Sequence, residues 1–227
     1  MTHLTRTIVA MIKRGESGVV FRELADRVYS NETSIVLRRN LHEHHPAPPP
    51  RISIKLRPLR SSDFPGIVKE RPRRLPVLLD NIPGGCVAVT DSGELAFMQW
   101  LIFSNDWPRF SHYFKGELAE PLKADECIFE FAYTFEKFRG LGVMGAALVM
   151  IAEEAVRLQP SLRWAYNYIR VSNDPSLKGC RNAGFRPYMR REERWRAMHL
   201  RQKFIPLRPG SPFPFEKIHD PIAGSYR

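Results

Sequence analysis

The chain has 227 residues, of which 43% are hydrophobic and 26% charged, and its formal net charge is +11. This composition is typical of a soluble globular protein, and no apolar run approaches the roughly 18 residues that a membrane-spanning helix needs. Because the three cysteines are scattered and odd in number and the N-terminus lacks a signal-peptide pattern, we expect a reducing compartment, the cytoplasm, rather than a disulfide framework.

The positive charge is unevenly distributed along the chain. Residues 51–75 carry a net charge of +6 and residues 181–227 carry +7, whereas residues 76–180 carry −4. Basic flanks of this kind suit an anionic partner, such as a phosphorylated substrate, a lipid surface or nucleic acid. An ordinary solvated basic surface is the alternative interpretation.

From the sequence of residues 1–50 we predict an N-terminal helical extension that packs on the domain formed by the following residues. Apolar residues indicate two short helices on either side of Gly15–Gly18, and Thr33–Leu37 predicts a strand. The first helix combines basic and apolar side chains, so a peripheral membrane contact through the N-terminus is left open. His42–His45 contains metal-ligand residue types, but Pro46–Pro50 is a stiff linker that does not orient them, and we expect no metal site.

The next elements are strands and one capped helix. Ile52–Arg57 alternates apolar and polar residues like a half-buried strand, and Asp63 is placed to cap the following helix. A hairpin is predicted next, because the turn residues Asp91–Glu94 lie between two strand-like segments, Gly85–Thr90 and Leu95–Phe103. The aromatic-rich segment 104–125 is either a substrate-facing insertion or a covering loop.

The central feature of the chain is a strand that passes through a glycine-rich bend into a helix. Glu126–Thr134 predicts the strand, and the helix begins near Gly142 and ends before Pro160; its apolar stripe is Met144, Leu148, Ile151, Ala155 and Leu158. The first N–H groups of a helix lack intrahelical partners, and glycines would let phosphate oxygens reach them. The pattern therefore predicts either a diphosphate site or a simple glycine-rich turn.

Two segments of the chain resemble one family. Arg139-Gly140-Leu141-Gly142-Val143-Met144 is similar to the Gln/Arg-x-x-Gly-x-Gly/Ala loop of the GCN5-related N-acetyltransferases, whose loop amides hold the diphosphate of acetyl-CoA. Met144 replaces the usual Gly or Ala, and Gly145 follows it. The second segment, Asn173–Phe185, resembles the family's next motif: an Asn that ends a strand, a short helix and Gly-Phe.

This resemblance implies an α/β fold with a mixed, mostly antiparallel sheet and helices on both faces. The domain would cover residues 51–204, followed by an irregular Pro/Gly-rich tail at residues 205–227. At its C-terminal end the sequence itself predicts two strands, Arg186–Arg190 and Arg196–Arg201, around a charged turn at Arg191–Arg194. Acetyl-CoA is the implied co-substrate, and no metal is implied. The residues implied to contact acetyl-CoA are Ala132, Tyr133, Thr134, Arg139, Gly140, Leu141, Gly142, Val143, Met144, Gly145 and Asn173, with Lys178 within reach of a phosphate.

The catalytic candidates are two carboxylates and a thiol. Glu130 and Glu126 share one face of the predicted strand, and some family members use a strand glutamate as the base; salt-bridged or solvated positions are the alternative. Cys180 stands where the family often has a Tyr acid, so it is an acid, a thiol against the cofactor or a buried filler. Tyr168 takes the place of a glutamate that other members carry.

We therefore predict an N-acetyltransferase that moves an acetyl group from acetyl-CoA to a primary amine of a small molecule, by direct attack in a ternary complex. An amino sugar or its nucleotide is the favoured acceptor, because basic flanks suit a phosphorylated molecule. One alternative is an acyltransferase with a longer or carrier-protein-bound acyl donor. The alternative of another class is a non-catalytic, basic nucleic-acid-binding protein, although nucleic acid is the less favoured partner; a homodimer is left open.

Overall fold

The computed structural model of the protein describes residues 25, 27–46, 48–71, 83–110 and 121–216. The two predicted N-terminal helices lie almost entirely outside these ranges, as do residues 111–120 of the aromatic-rich segment 104–125. Within the described ranges, no helix is long and apolar enough to cross a membrane.

Eight strands form one sheet. They are β1 (Tyr29–Asn40), β2 (Ile54–Pro58), β3 (Gly85–Thr90), β4 (Leu95–Phe103), β5 (Glu126–Thr134), β6 (Trp164–Arg170), β7 (Arg186–Arg196) and β8 (His199–Pro206). Their order across the sheet is β2-β3-β4-β5-β6-β1-β7-β8. Among these pairs only β5 and β6 are parallel. The expected mixed, mostly antiparallel α/β fold is confirmed.

Besides the helical residues 25, 27 and 28, the described ranges contain four α-helices: α1 (Phe64–Glu70), α2 (Trp107–Phe110), α3 (Val143–Leu158) and α4 (Asp174–Asn182). Helix α3 buries Leu148, Ile151 and Ala155 of its predicted stripe, whereas Met144 is half-buried and Leu158 is 54% exposed. The stripe therefore ends one turn earlier than the sequence predicts.

The position of strand β1 shows that the fold begins before residue 51, where the sequence places the start of the domain. This strand lies inside the sheet, antiparallel to β6 on one side and to β7 on the other. Ile35, Val36 and Leu37 are at most 5% exposed, as a continuous apolar run in a central strand should be. The fold therefore includes residues 29–40, and the predicted boundary at residue 50 falls after one of its central strands.

The C-terminal strands also differ from the prediction, which placed a turn at Arg191–Arg194 and began the tail at residue 205. Strand β7 continues through these charged residues because they pair with β1 on one side and with β8 on the other, and Arg191 forms an ion pair with Glu193 at 2.8 Å. The turn is Ala197-Met198, with φ values of 47° and 68°, as a two-residue hairpin turn requires. Strand β8 extends to Pro206, and the irregular segment after it buries Phe213 in the core.

Candidate functional site

Strands β5 and β6 diverge after a short paired segment. Their parallel pairing covers only Glu126–Ile128 opposite Trp164–Tyr166, although β5 continues to Thr134 and β6 to Arg170. A cleft therefore opens in the sheet between residues 129–134 and 167–170. A splay at this place is what the family resemblance implies for the donor site.

The β5 side of the cleft contains a bulge. Met98 pairs with Tyr133 and Trp100 pairs with Glu130, so Gln99 opposes two residues, Phe131 and Ala132. Phe131 has a φ of +57°, a conformation that an aromatic residue rarely adopts. Its ring packs against Trp100 and Phe110, with centroid distances of 5.8 and 5.4 Å. Packing thus holds a distorted backbone where the predicted contacts Ala132–Thr134 lie.

The loop after β5 leads directly into the start of α3. Gly140 and Gly142 have φ values of +74° and +77°, which favour glycine. Gly142 is the N-cap of α3, and no side chain caps that end. The first N–H groups of α3 therefore lack a side-chain acceptor as well as an intrahelical one. This donor set and the helix dipole fit a diphosphate.

Arg139 folds back onto the end of β5. Its guanidinium donates to the hydroxyl of Tyr133 at 2.9 Å, to the carbonyl of Thr134 at 3.3 Å and to Glu136 at 3.2 Å. The hydroxyl of Tyr133 donates in turn to Glu70, the last residue of α1, at 2.9 Å. Burial and this bond raise the pKa of Tyr133. Nothing local in the sequence relates Glu70 to β5, so its role could not be predicted.

Met144 and Gly145 shape the contact between α3 and α4. A Cβ atom on Gly179 would lie 2.7 Å from the Sδ atom of Met144, and one on Gly145 would lie 3.3 Å from the Cβ of Asn182. The Met144 side chain thus lies against α4, where Gly179 leaves room for it. These residues bring the two helices together beside the loop.

The second motif contributes a capped helix and a buried thiol. Asn173 is the N-cap of α4, and its side-chain oxygen accepts from the amide of Ser176 at 3.3 Å. Cys180 is completely buried, receives a 3.5 Å hydrogen bond from Asn167, and has a thiol pKa raised by burial. The structure therefore places Cys180 in the core below β6, as the filler interpretation expects.

The two carboxylates of β5 have different surroundings. Glu126 lies in the paired segment, where it accepts from the hydroxyl of Tyr166 and from the amide of Lys123, both at 3.0 Å. Glu130 lies beyond the last β5–β6 pair and accepts from the amide of Phe131 at 3.2 Å. Burial, and next the charge of Glu130, raise the pKa of Tyr168. Glu130 is therefore the carboxylate beside the open cleft.

One face of β6 carries three aromatic side chains, Trp164, Tyr166 and Tyr168, which we call the aromatic face. It is opposite to the side on which Asn167 reaches α4, because strand side chains alternate. Arg38 of β1 lies 4.1 Å from the ring centroid of Trp164 and 4.0 Å from that of Tyr188. Arg38 could not be predicted from the sequence, because no local signal places β1 beside β6.

The segment between β1 and β2, residues 41–46 and 48–53, crosses the outer side of α4 and α3; we call it the strap. The amide of Leu41 donates to the carbonyl of Arg163 at 2.9 Å. His45 then lies against Gly184, and Pro50 lies beside Gly142. The amide of Arg51 donates to the carbonyl of Leu141 at 2.9 Å. The predicted proline linker is thus anchored on the candidate diphosphate loop.

No group of three or more His, Cys, Asp or Glu suited to a metal occurs in the described part of the chain.

Comparisons with known proteins give a fold but no close relative. No family model matches the chain, and no curated protein matches it. Over 83% of its length it matches the GCN5-related glucosamine N-acetyltransferase region of a fungal multi-domain beta-N-acetylglucosaminidase, with a TM-score of 0.52 and 13% identity.

Two bacterial structures also match. A GCN5-related N-acetyltransferase from Sphaerobacter thermophilus matches 85% of the chain with a TM-score of 0.49 and 17% identity. An acetyltransferase from Colwellia psychrerythraea matches 80% with a TM-score of 0.49 and 11% identity. The chain spans 23%, 58% and 59% of the lengths of these three proteins, respectively. Its eight-stranded sheet, with one parallel pair and the central helix that follows β5, has the fold of the GCN5-related N-acetyltransferases.

Proposed function

We propose that the protein transfers an acyl group from acyl-CoA to a primary amine of a small molecule, and that this acyl group is acetyl. The observation that carries this proposal is the divergence of β5 and β6 after Ile128 and Tyr166. The cleft so formed adjoins the bend from which α3 begins, and the α3 end has no side-chain cap. One thioester molecule with a diphosphate could occupy both places at once.

The residues that would hold the donor lie along this path. The amides of residues 140–145 suit the diphosphate, with Arg139 as a cation at the bend. Ala132, Tyr133 and Thr134 would bind the arm and the thioester oxygen through their main chain. Asn173, which ends the segment after β6, would contact the arm from the other side. Acyl-CoA would supply a thioester, whose carbonyl carbon is activated toward amines.

Glu130 is the base we favour, because it lies on β5 beyond the last β5–β6 pair, beside the cleft, whereas Glu126 lies within the paired segment. The acceptor would arrive as an ammonium ion and lose a proton to Glu130. Its nitrogen would then form a bond with the carbonyl carbon as the carbon–sulfur bond breaks, and the leaving thiolate would take up the second proton, which this nitrogen loses on becoming an amide. Cys180 has no part in this scheme, since its thiol is fully buried.

An amino sugar, or its phosphate or nucleotide, is the acceptor we propose. The basic flanks of the chain suit a phosphorylated acceptor, and Arg38 on the aromatic face is a cation that could pair with one. The fungal neighbour is described as a glucosamine N-acetyltransferase region, which makes glucosamine the first acceptor to test. Thiol release from acetyl-CoA with glucosamine and with a phosphorylated glucosamine measures this directly.

A pair of glycine substitutions tests the donor site. Gly142→Ala places a Cβ atom at the start of α3, while Gly93→Ala imposes the same strain at φ +83° in the β3–β4 turn, with no atom within 4 Å. Both changes should cost about 1–2 kcal/mol of stability. We expect titration calorimetry to show that only Gly142→Ala loses CoA binding.

Two results would contradict the proposal. One is an absence of CoA binding by the wild-type protein, and the other is an equal CoA affinity in the two glycine variants. Steeply salt-dependent binding to any DNA duplex would favour the nucleic-acid-binding alternative instead.

A further inference from the structure

A large cleft lies between the strap, helix α4 and the C-terminal segment. Its volume is about 750 Å³, and its walls include His45, Pro48, Arg181, Arg186, Ser211 and Phe213. A cleft of this size can hold a nucleoside-sized ligand. Neither the diphosphate loop nor the cleft between β5 and β6 contributes to its walls.

This cleft adjoins the start of α3. Asn182 belongs to its wall and lies against Gly145, since a Cβ atom there would be 3.3 Å from the Cβ of Asn182. Pro48 also belongs to the wall, and two residues later Pro50 lies 3.4 Å from the corresponding position on Gly142. A molecule whose diphosphate lay at the start of α3 could therefore extend directly into the cleft.

The charge of the cleft is positive. Arg181 and Arg186 line it, and Lys178 precedes Arg181 by one helical turn on α4. The opposing charge is Glu216, which pairs with Arg181 at 2.7 Å and accepts from the amide of Phe213 at 3.0 Å. These two bonds lower the pKa of Glu216, so the carboxylate is ionised at neutral pH. Two arginines and one glutamate leave a net positive charge around the space.

Two aromatic rings support the positive wall. Phe213 belongs to the wall but is only 4% exposed, and it stacks on Phe215, which lies outside the wall, with a centroid distance of 5.3 Å and an interplanar angle of 27°. Arg181 and Lys178 lie over the ring of Phe215, at 5.0 and 5.6 Å from its centroid. Arginine forks match phosphate oxygens in geometry. The charge of the wall therefore fits a phosphate, and the volume of the cleft leaves room for the nucleoside that carries it.

We propose that this cleft binds the 3′-phosphoadenosine end of CoA, with Arg181 and Arg186 on the 3′-phosphate. The inference rests on the proposed function, because it assigns the remote end of the same donor. In CoA this end is joined directly to the diphosphate, so its site must adjoin the start of α3, as the cleft does. The strap and the C-terminal segment thus make part of the donor site.

CoA and dephospho-CoA, which lacks only the 3′-phosphate, test this assignment. Titration calorimetry on the full-length wild-type protein should give about ten- to hundredfold tighter binding of CoA, the range expected for charge-assisted hydrogen bonds. In Arg181→Ala/Arg186→Ala the two ligands should bind equally, with the affinity for dephospho-CoA unchanged. The control Arg157→Ala, which removes a cation from the far end of α3, should keep the wild-type preference.

Glu216→Gln distinguishes the effect of charge around the cleft from the effect of breaking the Arg181–Glu216 ion pair. It breaks the same ion pair as Arg181→Ala but removes a negative charge, so the preference for CoA should stay the same or increase. Equal wild-type affinities for the two ligands would overturn the assignment while leaving the proposed function in place. A preference that survives in the double arginine variant, or that disappears in Glu216→Gln, would also overturn it. A wild-type protein that binds neither ligand would remove the proposed function itself.

Discussion

The hydroxyl of Tyr133 donates a 2.9 Å hydrogen bond to the carboxylate of Glu70. This bond joins the last residue of α1 to the end of β5, and the same hydroxyl accepts from Arg139 at 2.9 Å. Glu70 also accepts from the amide of Glu136 at 3.1 Å. One carboxylate thus connects α1, β5 and the bend before α3.

Tyr133→Phe should lower the free energy of unfolding by about 1 kcal/mol, the net worth of a hydrogen bond of this kind. The ring itself stays packed against Phe135, so we expect no larger loss. CoA affinity should also fall, because Arg139 loses one of its anchors. Urea denaturation and calorimetry measure the two effects. Tyr29→Phe is the control, since Tyr29 is 64% exposed; a similar loss there would contradict the role of the Tyr133 hydroxyl.

Glu130→Gln should lower kcat by about 10²–10⁴-fold, as the loss of a general base does, while CoA affinity is unchanged. Glu126→Gln should stay within about tenfold of wild type, because the amide keeps an oxygen that can accept from Tyr166. Steady-state assays of thiol release give both values. The reverse order of effects would make Glu126 the base.

None of the three thiols should react with a disulfide reagent in the native protein at pH 8. Burial raises the pKa of Cys86 to about 12 and raises the pKa values of Cys127 and Cys180 as well. Since the thiolate is the reactive form, labelling should become rapid only after denaturant is added, when all three cysteines react. Rapid labelling of the native protein that is absent in Cys180→Ala would contradict the burial of this thiol and make Cys180 a catalytic candidate again.

Asp63 should make stability depend on pH in the acid range. Its carboxylate lies at the N-cap of α1 but binds Arg57 at 2.7 and 2.8 Å, and the amide of Arg60 at 2.8 Å, instead of capping the helix. Burial alone would raise the pKa of Asp63, but these bonds outweigh it and hold the pKa below its usual value. The stabilisation is therefore present above about pH 4, the unfolded pKa, and is lost as the pH falls through the folded pKa.

Asp63→Asn should accordingly cost about 1–3 kcal/mol at pH 7, and its difference from wild type should shrink steadily below pH 4. Denaturation midpoints measured from pH 7 to pH 2 give the curve. Asp91→Asn is the matched control, because Asp91 and Lys55 form an exposed ion pair that should contribute little. A constant difference across this pH range would mean that the Asp63 carboxylate is not the titrating group.

Leu37→Ala should lower the free energy of unfolding by about 2–5 kcal/mol, because Leu37 is fully buried in β1. Leu158→Ala makes the same chemical change at a side chain that is 54% exposed, so its effect should stay within about 0.5 kcal/mol. Thermal or urea denaturation compares the two variants. Equal effects would mean that β1 is not a central strand.

Local sequence signals predicted the strand, bend and helix around Gly142 and the β3–β4 hairpin, because each depends on neighbouring residues. They could not place β1 between β6 and β7, since a period-two pattern does not identify a distant partner. The Tyr133–Glu70 bond and the contact of the strap with Gly142 were missed for the same reason. The turn at Ala197-Met198 was misplaced because the charges of Arg191–Arg194 resemble a loop, whereas these residues pair with β1 and β8 inside the sheet and Arg191 forms an ion pair with Glu193.

The position of β1 has a consequence for how the chain is made. The 123 residues between Asn40 and Trp164 must leave the ribosome before β1 meets its first neighbour, and β7 follows later still. Until then Ile35, Val36 and Leu37 form an uncovered apolar segment that can aggregate. Such a high contact order slows folding, so we expect the nascent chain to depend on chaperones until synthesis is nearly complete.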